Sequence, residues 1–135
     1  MATPTKDLKG INAVILDALK AKDIGDNEQL VAAAASPTQR KELAKACSCD
    51  ARDILQLANR ADLARVKGVS GVYGDLLEHA GVDTVKELAT RKPENLHATI
   101  AETNDAMKLT ERPPSIAQVE DWISQAKGLP KVLSY

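Results

Sequence analysis

A four-residue signature occurs twice in this chain. Lys9-Gly10-Ile11-Asn12 returns, 58 residues later, as Lys67-Gly68-Val69-Ser70. Each copy precedes an apolar helical pattern, a break and a second apolar cluster. Laid on one another, residues 9–31 and 67–89 share Lys, Gly, Val, Asp and two Leu at matching positions. Ile11 aligns with Val69, and Ile24 with Val82. Self-similarity of this kind marks a supersecondary unit used more than once, because a single unit cannot bury its own apolar face. The expectation is an all-α chain with two helix–hairpin–helix-like repeats, near residues 9–35 and 60–90. Connecting and C-terminal helices would complete one compact domain over residues 1–128, with residues 129–135 as a C-terminal tail.

The rest of the chain supports eight or nine short helices. Val14, Ile15, Ala18 and Leu19 fall on one helical face. Asp26 or Asn27 can cap the next helix. Ser36-Pro37-Thr38-Gln39 is a strong start signal: Ser36 and Gln39 can close a capping box, and Pro37 costs little at the first helical position. Leu43, Ala44 and Cys47 then point inward. After Asp50 comes the stripe Ile54, Leu57, Ala58 and Ala61. Val72, Leu76 and Leu77 form another stripe, with Tyr73 on its flank and Gly81 as its stop. Thr84 and Glu87 suggest a second box. Pro93 opens a helix with Leu96, Ile100 and Met107 inward. Ser115 and Gln118 open the last, with Val119, Trp122, Ile123 and Ala126 as its stripe. No segment alternates as a half-buried strand would. Hydrophobic residues make up 44% and there is no Phe. Aliphatic side chains and Ala must therefore fill the core.

The combination Ala61-Asp62-Leu63, Arg65-Val66-Lys67-Gly68-Val69, Tyr73 and Gly81-Val82-Asp83-Thr84-Val85-Lys86-Glu87-Leu88-Ala89 resembles the bacterial domain-of-unknown-function family 4332 (DUF4332). Arg91, Pro93-Glu94-Asn95-Leu96-His97-Ala98, Val119-Glu120-Asp121-Trp122-Ile123 and Ala126-Lys127 continue the match. The resemblance covers nearly the whole chain, most clearly residues 36–127. Members of that family look like tandem helix–hairpin–helix proteins. The resemblance implies that fold and carries no activity with it.

A phosphate-gripping hairpin resembles Gly-hydrophobic-Gly before a helix, with backbone N–H groups and the helix dipole facing the phosphate. Here the second Gly is replaced by Asn12 in one copy and Ser70 in the other. Both can cap their helix and so occupy N–H groups that a phosphate would need. The candidate phosphate-binding residues are Lys9, Gly10, Asn12 and Ala13 in the first turn, and Arg65, Lys67, Gly68, Ser70 and Gly71 in the second. Lys6 and Arg60 lie nearby. The formal net charge of −1 removes a whole-protein basic field.

Cys47 and Cys49 are too close for ordinary disulfide geometry and too few for a zinc site. No nucleophile motif, acid–base pair or phosphate loop stands out, so a non-enzymatic role without a cofactor is expected. Trp122 and the tail residues Val132, Leu133 and Tyr135 are the candidate protein contacts. An unidentified protein is the first expected partner and nucleic-acid backbone the second. No run is long and apolar enough for a membrane span, and no secretory signal is apparent, so a cytoplasmic location is expected. The leading expectation is a protein-interaction or scaffold module.

Overall fold

The computed structural model describes residues 2–69 and 71–135. Among the described residues it holds eight α-helices and a 3-10 turn at Thr5–Asp7, with no strand. The chain forms two compact units: Met1–Arg65 together with Val132–Tyr135, and Val66–Lys131.

The first unit contains α1 (Ala13–Ala21), α2 (Asn27–Ala33), α3 (Pro37–Cys47) and α4 (Ala51–Leu63). Their starts are set by side chains that accept otherwise orphaned N–H groups. Asn12 Oδ1 accepts from Ile15 at 2.9 Å, and Asp26 Oδ1 from Gln29 at 2.8 Å. Ser36 and Gln39 close the expected capping box at 3.2 and 3.1 Å. α4 packs on α2 and α3, and α1 packs on α3. The stripe Ile54, Leu57, Ala58, Ala61 is buried, and Leu19, Leu30 and Val31 meet it in one cluster. The two Ala in the stripe leave little side chain between α4 and its neighbours.

One further feature ties this unit together. Asn27 is buried, and both polar atoms of its side chain are bonded: Oδ1 accepts from the Thr3 N–H at 2.8 Å and Nδ2 donates to the Ala61 carbonyl at 3.0 Å. Val14 departs from the sequence reading, being 62% exposed. The inward arc of α1 centres on Ile15 and Leu19, and Val14 lies about 100° around the helix from Ile15.

The second unit contains α5 (Val72–His79), α6 (Val85–Ala89), α7 (Pro93–Met107) and α8 (Ile116–Gly128). α8 packs against α6 and α7, and α5 against α7. Ser115 and Gln118 form the expected box at 3.2 and 2.8 Å. The stripe Val119, Trp122, Ile123, Ala126 is buried. Two expectations fail here. Glu87 does not complete a box with Thr84; its carboxylate instead accepts from Arg91 at 3.0 and 3.2 Å, one turn on. Met107 is 45% exposed rather than inward, because α7 ends at that residue and Lys108 turns the chain through φ +52°.

Candidate functional site

The two turn signatures make the same backbone bonds, each within its own unit. Ile11 N–H donates to Leu8 at 3.2 Å, and Val69 N–H donates to Val66 at 3.1 Å. Gly10 has φ +93° and Gly68 φ +92°, a region that a Cβ disfavours. The correspondence continues to the far end of each helix. Ile24 N–H donates to Leu19 at 2.9 Å, and Val82 N–H to Leu77 at 2.8 Å. Asp23 and Gly81 both turn the chain at positive φ. Asp26 and Thr84 then cap the helices that follow. Every pair is separated by the same 58 residues.

Side chains use the two turns differently. Asn12 caps α1, so its oxygen occupies the Ile15 N–H. In the second turn Gly71 stands at the start of α5, at φ +56°, and its carbonyl accepts from Asp75 at 3.1 Å. Ser70, the expected cap, lies outside the described residues. A Cβ on Gly10 would make ordinary contact with Leu57 Cδ2 at 3.6 Å. A Cβ on Gly68 would lie 3.0 Å from Trp122 Nε1.

Of the candidate phosphate ligands, Lys9, Gly10, Asn12, Ala13 and Arg65 belong to the first unit, whereas Lys67, Gly68 and Gly71 belong to the second. Arg65 is bound to Asp62 at 2.9 Å, with only 10% and 6% of their side chains exposed. Its charge is committed to structure. Lys67 is exposed, but Gln125 clamps its backbone: Lys67 N–H donates to Oε1 at 2.8 Å, and Nε2 donates to the Lys67 carbonyl at 3.2 Å.

The candidate protein contacts divide as well. Trp122 is 2% exposed inside the second unit, its ring 5.5 Å from that of Tyr73. Its size makes it an anchor of that core. Residues 132–135 belong to the first unit. Leu133 is 3% exposed within that unit's apolar cluster, while Val132 and Tyr135 are exposed. Ser134 N–H donates to the Ala35 carbonyl at 2.7 Å. Tyr135 OH donates to Asn59 Oδ1 at 3.2 Å.

Arg40 completes this arrangement, and the sequence reading missed it. It is buried on α3, and its hydrogen bonds go to main-chain carbonyls: Nη1 to Ala34 and Ala35 at 3.0 and 3.3 Å, Nη2 to Ser134 at 2.7 Å. The first two carbonyls lie at the C-terminal end of α2, where a cation is favourable. The guanidinium carbon also stands 5.7 Å from the centroid of the Tyr135 ring. One signal was available: Arg40 falls in register with Leu43, Ala44 and Cys47 on the inward stripe of α3.

Cys47 and Cys49 border a cavity of about 430 Å³ whose other wall is the first turn of α1, including Asn12 and Val14. Burial raises the Cys47 pKa, partly offset by Lys22. Cys49 is raised first by burial and then by Cys47, Asp53 and Asp50. Such thiols make poor nucleophiles at neutral pH. Among the described residues, no cluster of three His, Cys, Asp or Glu side chains could hold a metal ion. Among them, too, no helix is long and apolar enough to cross a membrane.

No curated protein and no solved structure matches the chain. A family model described as Domain of unknown function (DUF4332) matches residues 9–129. That span takes in both turn signatures and all eight helices described above. The chain therefore belongs to the DUF4332 family.

Proposed function

We propose that this chain is a non-catalytic helical interaction module whose first unit receives an extended protein segment. One observation carries the reading: residues 132–135 lie against that unit as a bound peptide would. An apolar plug, Leu133, enters the core cluster, and main-chain bonds flank it through Ala35 and Arg40. Extended segments are commonly recognised by this combination, with backbone bonds giving affinity and a side-chain pocket giving selectivity.

The test is a titration of a labelled, end-blocked peptide spanning residues 129–135. The receptor is the full chain carrying Leu133→Asp, which frees the docking surface. Saturable binding that is lost on adding Arg40→Ala is the expected result. A folded receptor that binds no peptide rejects the reading.

A second reading, nucleic-acid-backbone binding without base specificity, keeps one specific support: Lys9 and Lys67 are exposed at matching turn positions. It loses Arg65 to Asp62 and the Ile15 N–H to the Asn12 cap. Backbone binding would weaken steeply with salt. Titration with duplex, single-stranded and branched oligonucleotides at two salt concentrations decides it. The expected outcome is no salt-sensitive binding. Binding abolished by Lys9→Glu with Lys67→Glu would move the function to the hairpins.

A further inference from the structure

We propose that residues 132–135 act as an intramolecular inhibitor of the surface they occupy. The proposal rests on the interaction-module reading and adds the regulation of that same site. Two features separate this segment from a permanent part of the core. The first is that the surface is fixed without it. Arg40 Nη1 donates to the Ala34 and Ala35 carbonyls at 3.0 and 3.3 Å, bonds in which the segment takes no part. Only Nη2 turns to the segment, donating to the Ser134 carbonyl at 2.7 Å. Undocking exchanges that bond for water and leaves the guanidinium anchored.

The second feature is that the segment is lightly held. Of its four residues only Leu133 is buried; Val132 and Tyr135 are 37% and 61% exposed. Ser134 is exposed as well, and its N–H and Oγ both donate to the Ala35 carbonyl, at 2.7 and 3.1 Å. Against these contacts stands the entropy of ordering the segment. Stretches with few buried apolar contacts and exposed backbone bonds open locally while the rest of the fold stays closed. The surface is therefore available only in the undocked fraction, and an added segment binds more weakly by the inverse of that fraction. For an undocked state populated at about 0.1–10%, the weakening is about 10- to 1,000-fold. A competitor must bring an aliphatic plug followed by a residue that keeps its N–H, which excludes proline there.

The end-blocked peptide spanning residues 129–135 tests this on full-length chains. It should bind Leu133→Asp, whose own segment no longer docks, and bind the native chain about 10- to 1,000-fold more weakly. As peptide is added to isotope-labelled native chain, exchange at the chain's own Ser134 amide should speed up, because its acceptor is taken. Affinity for the native chain equal to or above that for Leu133→Asp overturns the inference and leaves the module reading standing. Peptide bound to the native chain with the Ser134 amide still protected has the same consequence. A folded Leu133→Asp that binds no peptide removes both. If Leu133→Asp fails to fold, Ser134→Pro takes its place, since it removes the N–H donor and keeps the apolar plug.

Discussion

The turns at Gly10 and Gly68 share a backbone and differ in what surrounds it. Both place a glycine at φ near +92°, and both close with an N–H bond from the following apolar residue. At Gly10 the nearest atom to an added Cβ is the end of Leu57, at an ordinary distance. At Gly68 it is the indole nitrogen of Trp122 at 3.0 Å, on a ring that is 2% exposed. The first turn hands its helix to Asn12, a side-chain cap; the second passes through Gly71 at φ +56°. Similar main-chain geometry can thus be required for two reasons. In one turn glycine serves the backbone angle alone, and in the other it also makes room for an aromatic anchor.

Matched substitutions break or sharpen this contrast. The largest effect is expected for Gly68→Val, which combines a disfavoured angle with collision against Trp122, for a loss of about 4 kcal/mol. Gly68→Ala should cost about 3 kcal/mol and Gly10→Ala only about 1.5 kcal/mol, since the latter carries the angle penalty without the collision. Equal losses in chemical denaturation would remove Trp122 from the explanation. Asn12→Ala should cost about 1 kcal/mol by uncapping α1. Smaller still is Asp23→Gly. Asp23 holds φ +60° where the second unit has Gly81, so the exchange should stabilise by about 0.5 kcal/mol.

The smallest effect concerns the thiols. Both have raised pKa values, so the folded chain holds these protons more tightly than the unfolded chain does. Their stabilising contribution is intact below the ordinary thiol range and is lost as pH rises through the folded values. A chain carrying Cys47→Ala and Cys49→Ser should lose less stability than the native chain between neutral and alkaline pH. An identical pH dependence in both chains would contradict the assignment.

The legible parts of the fold were local. Ser36 with Gln39, Ser115 with Gln118, and the stripe from Ile54 to Ala61 state their helices within a few residues, because capping and helical period are short-range properties. Val14 and Met107 depart from the expectation for different reasons: Val14 lies about 100° around α1 from Ile15, and Met107 is the last residue of α7. Glu87 had two partners within reach, and Arg91, just beyond the end of α6, took it from the cap. The docked segment was the least legible. Leu133 has no periodic neighbours, and the bonds that hold Ser134 come from Ala35 and from Arg40, 94 residues earlier. Arg40 itself was hidden by chemistry. A charged residue on an apolar stripe reads as an interruption until the three carbonyls that accept from it are known.

The central claim is that the first unit holds residues 132–135 as a bound segment. Hydrogen exchange at the Ser134 amide tests it most directly, because that N–H is the donor to the Ala35 carbonyl. The account predicts that the Ser134 amide exchanges more slowly than in the free peptide. Arg40→Ala or Leu133→Ala should abolish that protection while the α8 amides stay protected. Exchange of Ser134 in the native chain at the free-peptide rate would contradict it.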